Sequence, residues 1–215
     1  MSIIQDLISF ILHIDQHLIE IIEIFGIWSY AILFLIVFVE TGVVIFPFLP
    51  GDSLLFAGGT FAAQGAFNLG LLMLVLFVAA VIGDTVNYHI GKKLGLAIKP
   101  NSWIGKLINQ ERLQKAQDFF DKHGGKTIII ARFMPFIRTF APFVAGASRM
   151  NYRYFFAYNV IGAVIWVIVC TMLGYFFGNI PIVKNNFSTV LLLIIFISVL
   201  PAVISFIKAR FGKKK

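Results

Sequence analysis

The sequence predicts an all-α integral membrane protein. Its core is a pair of inverted repeats, each a re-entrant helical hairpin followed by a transmembrane helix. An N-terminal amphipathic helix and a C-terminal transmembrane helix flank them in a single membrane domain over residues 1–215. Three observations carry this expectation. The chain is 59% hydrophobic and 13% charged, with 24 phenylalanines and a mean hydropathy of +0.90, more apolar surface than a soluble domain of this size can bury. Apolar runs of spanning length alternate with apolar runs broken by proline and glycine. Finally, the basic residues fall on one side of a membrane only if one of the broken runs enters and returns.

The elements follow in order. Within residues 3–24, polar residues at 5, 6, 9, 13, 16, 17, 20 and 23 recur at spacings of three and four, which predicts an amphipathic helix lying on the membrane or against the bundle. His13, His17 and Glu20 share its polar face, but nothing nearby completes a metal site, and a solvated stripe explains them. Residues 27–46 are apolar apart from Glu40, and about 20 residues suffice to cross hydrocarbon. The stretch 46–67 is broken by Pro47, Pro50 and Gly51 and carries Asp52, so it reads as a first re-entrant region. Residues 69–90 predict a transmembrane helix. The segment 91–126 is the most polar, with a short helix supported by Glu111–Lys115 and Asp118–Lys122 and stopped at Gly124.

The stretch 127–148 is apolar yet holds Arg132, Arg138, Pro135 and Pro142. Charge bias decides its topology. Segment 91–126 has eight Lys or Arg against three acids and is expected in the cytoplasm. If 127–148 spanned, Arg149, Arg153 and the tail at 208–215 would lie outside after the helices at 154–178 and 187–207. If it is a re-entrant hairpin, all of them stay inside. By the same logic, 46–67 enters from the opposite side. "AVIGDTVNYHIGKKLG" (80–95) faintly echoes "NVIGAVIWVIVCTMLG" (159–174), as inverted repeats with discontinuous helices do in transporters. Broken backbone at that depth survives only inside protein or beside a wet cavity.

The chemistry is concentrated in four ionisable residues at membrane depth: Glu40, Asp52, Arg132 and Arg138. Each costs roughly 2.5–3.5 kcal/mol on insertion if unpaired, so the two acids and two arginines are expected to cancel where the hairpin tips meet. Arginine stays charged, whereas a buried carboxylate is neutralised by a proton. A protonated acid would free an arginine to hold an anion, with Glu40 and Asp52 coupling to protons and Arg132 and Arg138 binding phosphate. Pro50–Gly51 and Pro142 leave backbone groups able to face that anion. Static pairs locking the hairpins would explain the same residues, but such pairs often only break even in stability. Asp84 and Tyr88, one turn apart, read as secondary, structural hydrogen-bonding groups. Cys170 is alone and forms no internal disulfide, and the opening residues lack the basic start and cleavage site of a signal peptide.

"ETGVVIFPFLPGDSLLFAGG" (40–59), "GDTVNYHIGKKLG" (83–95), "HGGKTIIIARFMPFIRTFAPFVAGASRMNYRYFFAYNVIGAVIWV" (123–167) and "GYFFG" (174–178) closely resemble the bacterial DedA family, also described as SNARE-associated Golgi or VTT-domain proteins. The resemblance runs from about residue 3 to 205. It puts the family's essential acids on Glu40 and Asp52 and its essential arginines on Arg132 and Arg138. The tail and the loop 96–110 look individual. The resemblance implies a multi-pass bacterial inner-membrane protein with a cytoplasmic C-terminus, needed for envelope integrity and proton-motive-force balance. Some members are implicated in returning undecaprenyl phosphate across the membrane, and eukaryotic relatives scramble phospholipids.

Partners expected on this reading are membrane lipids bearing a polyprenyl or phospholipid phosphate, protons and, in a homo-oligomer, further copies of the chain. Nucleic acid, cofactors and metals are not expected, since the +8 formal charge is gathered in loops and tail beside apolar runs. A lipid-phosphate transporter or flippase is the leading function. A proton-coupled transporter of small cations or drugs, a scramblase and a structural organiser are the alternatives. An enzyme is disfavoured because His13, His17, His89 and His123 lie outside both hairpins, which leaves the arginines without a nucleophile and base.

Overall fold

The computed structural model describes residues 22, 24–42, 51–94, 124–134, 137–185 and 189–190. Those residues form seven helices and no strand: α1 (Ile27–Gly42), α2 (Gly51–Ala63), α3 (Leu69–Leu94), α4 (Lys126–Arg132), α5 (Ile137–Ala147), α6 (Tyr152–Gly178) and α7 (Pro181–Asn185). The expected amphipathic helix, the cytoplasmic helix around 111–122, the span at 187–207 and the tail lie largely or wholly outside the described residues. Among the described residues, two helices are long and apolar enough to cross a membrane. At about 1.5 Å per residue, the 26 residues of α3 and the 27 of α6 reach roughly 39 and 40 Å, beyond a hydrocarbon core of about 30 Å. Helix α3 runs four residues past the expected end at 90, through Lys92 and Lys93, whose charge suits a helix C-terminus. Helix α6 begins two residues before the expected start.

The chain divides into two compact units. The first comprises residues 1–33, 50–74 and 168–215. Here α2 lies against the last turns of α6 with almost no side chain between them. A Cβ on Gly59 would come within 2.0 Å of the Thr171 carbonyl oxygen, and one on Gly174 within 1.9 Å of the Phe56 carbonyl oxygen. The Thr60 hydroxyl, 3.0 Å from both the Phe56 and Gly174 carbonyls, ties the two helices further. Small residues allow this approach where lipid removes the hydrophobic drive for helix association. After α2, Gly65 turns the chain at φ +86°, a conformation glycine adopts freely. The backbone N–H of Asn68 then donates to the Tyr30 hydroxyl at 2.8 Å.

The second unit comprises residues 34–49 and 75–167. Its core gathers Tyr88, Ile128, Ala131, Ala141, Ala145 and Phe155, with the Tyr88 and Phe155 rings stacked at 4.5 Å. Contacts of the first unit's kind recur here between α5 and α3. A Cβ on Gly146 would meet the Tyr88 carbonyl oxygen at 1.9 Å, and one on Gly91 the Phe143 carbonyl oxygen at 2.1 Å. The spacing is the same in both units, a Phe–x–x–Gly on the short helix against a residue–x–x–Gly on the long one. This repeated packing is out of register with the sequence echo at 80–95 and 159–174, which sets Gly174 opposite Gly95 and Gly91 opposite Cys170. Because backbone rather than a yielding side chain faces these glycines, Gly146→Val is expected to destabilise the protein by about 1–3 kcal/mol or more. A lowered melting midpoint at wild-type protein levels checks this.

The broken segment after residue 126 is visible as two short helices. Helix α4 has seven residues and α5 eleven, spanning roughly 10 and 16 Å, so neither crosses a bilayer alone. Pro142 lies inside α5 and denies the Arg138 carbonyl its intrahelical partner. The α5 end is closed by Met150 N–H to the Ala145 carbonyl (2.9 Å) and Arg149 N–H to the Gly146 carbonyl (3.0 Å), with Arg149 in the left-handed region at φ 57°.

Candidate functional site

Within the second unit, four helices bring charge to one point. Helix α1 supplies Glu40, α3 supplies Asp84, α4 ends on Arg132 and α5 begins with Arg138 in its first turn. Arg138 Nη2 donates to Glu40 Oε1, and Arg132 Nη2 donates to Asp84 Oδ2, each as a salt bridge. Exposure of these side chains is 1% for Glu40, 4% for Arg132, 7% for Asp84 and 11% for Arg138. Two full ion pairs are therefore held away from solvent.

The sequence reading expected Glu40 and Asp52 to neutralise the arginines. Glu40 is found with Arg138, and Arg132 pairs with Asp84, a residue whose sequence context reads as secondary and structural. The physical reason is the length of α3. With the helix running to Leu94, Asp84 lies ten residues, roughly 15 Å, inside its end, and it is buried. At that depth a carboxylate needs a cation, and α4 delivers one. Asp52 is exposed in the first turn of α2, where an acid complements the helix dipole, and belongs to the first unit. Tyr88, one turn beyond Asp84, is buried and donates its hydroxyl to the Met150 carbonyl.

Three residues not singled out in the sequence complete the site. Asn159 of α6 accepts from Arg132 Nη2 through Oδ1 at 2.6 Å and donates from Nδ2 to the Val81 carbonyl at 3.1 Å, so it orients the guanidinium against α3. Asn87 of α3 donates to the Thr41 carbonyl at 3.0 Å and the Thr139 carbonyl at 2.7 Å, tying α1 to α5 beside the Glu40–Arg138 pair. Trp166 of α6 presents its ring to both arginines, with the Arg132 and Arg138 Cζ atoms 5.6 and 5.5 Å from its centroid. Such cation–π contacts contribute about 2 kcal/mol when desolvated. The signal for the asparagines was present: each is a lone amide in an apolar run, where interhelical hydrogen bonding is the usual reason for one. Trp166 carried no such signal among so many aromatics.

Thr41, Asp84, Ile128, Arg132, Arg138, Thr139, Pro142 and Trp166 enclose a void of about 10 Å³, room for about one water and not for a phosphate. In this arrangement the carboxylates hold the arginines and the site is closed.

Comparison with known proteins places this geometry in a family. Residues 49–176 match the VTT domain. The chain is 52% identical to protein DedA of Escherichia coli K12 over 214 residues, covering 98% of this chain and 96% of that one. It is 44% identical to an uncharacterized membrane protein of Mycobacterium leprae over 79% of this chain and 76% of the relative. Identity to the inner membrane protein YqjA of Escherichia coli K12 is 39%, over 71% and 69% of the two chains. No solved structure matches. A VTT match over more than half of the chain, and an identity sustained almost end to end, make this a membrane protein of the DedA family.

Proposed function

We propose that the protein is a proton-linked transporter or flippase for an anionic lipid phosphate such as undecaprenyl phosphate, working in the bacterial inner membrane in support of envelope integrity. The observation that carries this reading is the pair of buried arginine–carboxylate bridges facing one indole. Ionisable groups at such depth are expensive and belong as a rule to transport pathways. Guanidinium suits phosphate because its planar fork makes two parallel charge-assisted hydrogen bonds.

The cycle follows from the asymmetry of the partners. When Glu40 or Asp84 takes a proton, its hold on arginine drops from an ion pair to a neutral hydrogen bond, and the guanidinium becomes available to an anion. When the proton leaves, the carboxylate reclaims the arginine and expels the phosphate. Asn159 and Trp166 hold the guanidiniums in place throughout. Asp52, in the first turn of α2, exchanges a proton on the other hairpin; the resemblance makes it an essential acid. Groups seen on the two arginines include two carboxylates, an amide and an indole, a set suited to gripping and releasing charge rather than to attack on phosphorus. Lipid-phosphate carriage, not catalysis, is the reading they support, with membrane lipids and protons as the partners.

Topology completes the proposal. Helices α4 and α5 form a re-entrant hairpin from the cytoplasmic side, α2 belongs to its inverted counterpart, and the C-terminus is cytoplasmic. Too short to span, α4 and α5 fit a dip and return. In proteoliposomes, the protein should flip a fluorescent short-chain polyprenyl phosphate, at a rate that changes with an imposed pH gradient. Flipping that ignores the gradient would contradict proton linkage.

A further inference from the structure

The closed ion-pair site is not the chain's one basic feature. At the C-terminal end of α3, a cavity of about 1110 Å³ is lined by Lys92 and Lys93 from the last turn of α3, His89 one turn earlier, Arg149 from the α5–α6 turn, and Tyr152 and Arg153 from the first turn of α6. Lys92, Lys93, Arg149 and Arg153 are exposed, and none makes a salt bridge among the described residues. Tyr88 anchors the cavity floor by donating to the Met150 carbonyl, which ties the α5–α6 turn to α3.

We propose that this cavity binds a phosphate monoester. It is the vestibule in which the headgroup of the carried lipid is held before it reaches the buried arginines, and in that part it rests on the function proposed above. Two features separate it from a set of charges kept only to anchor topology. Arg149 stands at φ 57°, where glycine or asparagine is the low-strain choice. Arg153 lies in the first turn of α6, the end of a helix dipole that disfavours a cation. An anchoring role needs only charge near the membrane edge and explains neither position. Four cations around one space match a monoester, which carries about −1.5 to −2 near neutral pH. Helix α3 also links the two places, with Asp84 inside, Tyr88 at the floor and Lys92 in the cavity.

The test uses the purified full-length protein in a neutral detergent and calorimetric titration with three probes: inorganic phosphate, dihexanoyl phosphatidic acid and dihexanoyl phosphatidylcholine. The two phosphate monoesters should bind and the choline lipid should not. Tighter binding of phosphatidic acid assigns the site to a lipid headgroup, and equal binding assigns it to free phosphate. Arg149→Gly removes the strain with the charge, so its melting midpoint should not fall while monoester affinity drops by about tenfold, the worth of one charge-assisted hydrogen bond. Unchanged affinity in Arg149→Gly, or no monoester binding by the wild type, overturns the proposal. Arg132→Lys, altered only at the buried site, should keep vestibule binding. If the wild type transports no lipid phosphate but Arg149→Gly still loses monoester binding, the transport reading fails and the cavity site stands.

Discussion

Asp84→Leu is expected to leave little folded protein in the membrane. The substitution strands the Arg132 guanidinium, 4% exposed, with the Asn159 amide as its remaining hydrogen-bond acceptor shown here. Removing one member of a buried pair costs about 3–5 kcal/mol, because the surviving charge keeps its desolvation penalty and loses its counter-charge. Set against a total stability of about 5–15 kcal/mol, that is a severe loss. Combining Asp84→Leu with Arg132→Met removes both charges, and abundance should then recover most of the way to wild type. Transport should stay absent in the double variant, since no guanidinium remains in that half of the site. Membrane abundance measured by quantitative blotting, with a melting midpoint for each purified variant, checks the pattern. Normal abundance of the single variant would mean that Arg132 finds water or another anion, and that its bridge to Asp84 is incidental.

Arg132→Lys is expected to fold and to transport at least about tenfold more slowly. Charge is retained, so the pairing with Asp84 survives and abundance should fall only modestly. What disappears is geometry. Arg132 serves Asp84 and Asn159 together and stands over the Trp166 ring. An ammonium is a compact point charge that cannot present a planar fork to phosphate or lie flat on an indole. Loss of one bidentate, charge-assisted contact is worth about 1.5–3 kcal/mol, hence the tenfold floor. Initial flipping rates at matched protein density decide it. Wild-type rates in the lysine variant would reduce Arg132 to a point charge.

How much of this was legible in the residues differs from element to element. Glu40, Arg132 and Arg138 declared themselves because each interrupts an apolar run, and a charge there has no solvent. The break between α4 and α5 was equally plain, since Pro135 interrupts a helix, whereas Pro142, read as a second breaker, lies inside α5. Asp84 was visible as a hydrogen-bonding group, but not as the ionic partner of Arg132. Its depth depends on where α3 ends, and Lys92 and Lys93 looked like the start of a cytoplasmic loop when they are the last turn of the helix. Helix ends are set by capping and tertiary contacts that a local pattern does not contain. Partner choice was beyond the sequence for a related reason. Four charges of balanced sign allow more than one pairing, and tertiary contacts make the choice: Asn87 ties α1 to α5 beside Glu40 and Arg138, and Asn159 holds Arg132 against α3. Asn87 and Asn159 could have been found by asking why an amide stands in an apolar helix. The two roles of Trp166 depend on two arginines converging, which no spacing along the chain reveals.

The central claim is that the buried carboxylates move protons rather than merely neutralise arginines. Glu40→Gln and Asp84→Asn test it most directly, because an amide keeps an oxygen for the guanidinium while imitating the protonated acid. Membrane abundance and pH-gradient-driven lipid-phosphate flipping should be measured side by side for both variants. Proton coupling predicts abundance near wild type, since the protonated state is a normal intermediate of the cycle, together with loss of net transport and of the response to the gradient. Abundance and transport falling in parallel, or flipping that still follows the gradient, would contradict it and return Glu40 and Asp84 to scaffolding.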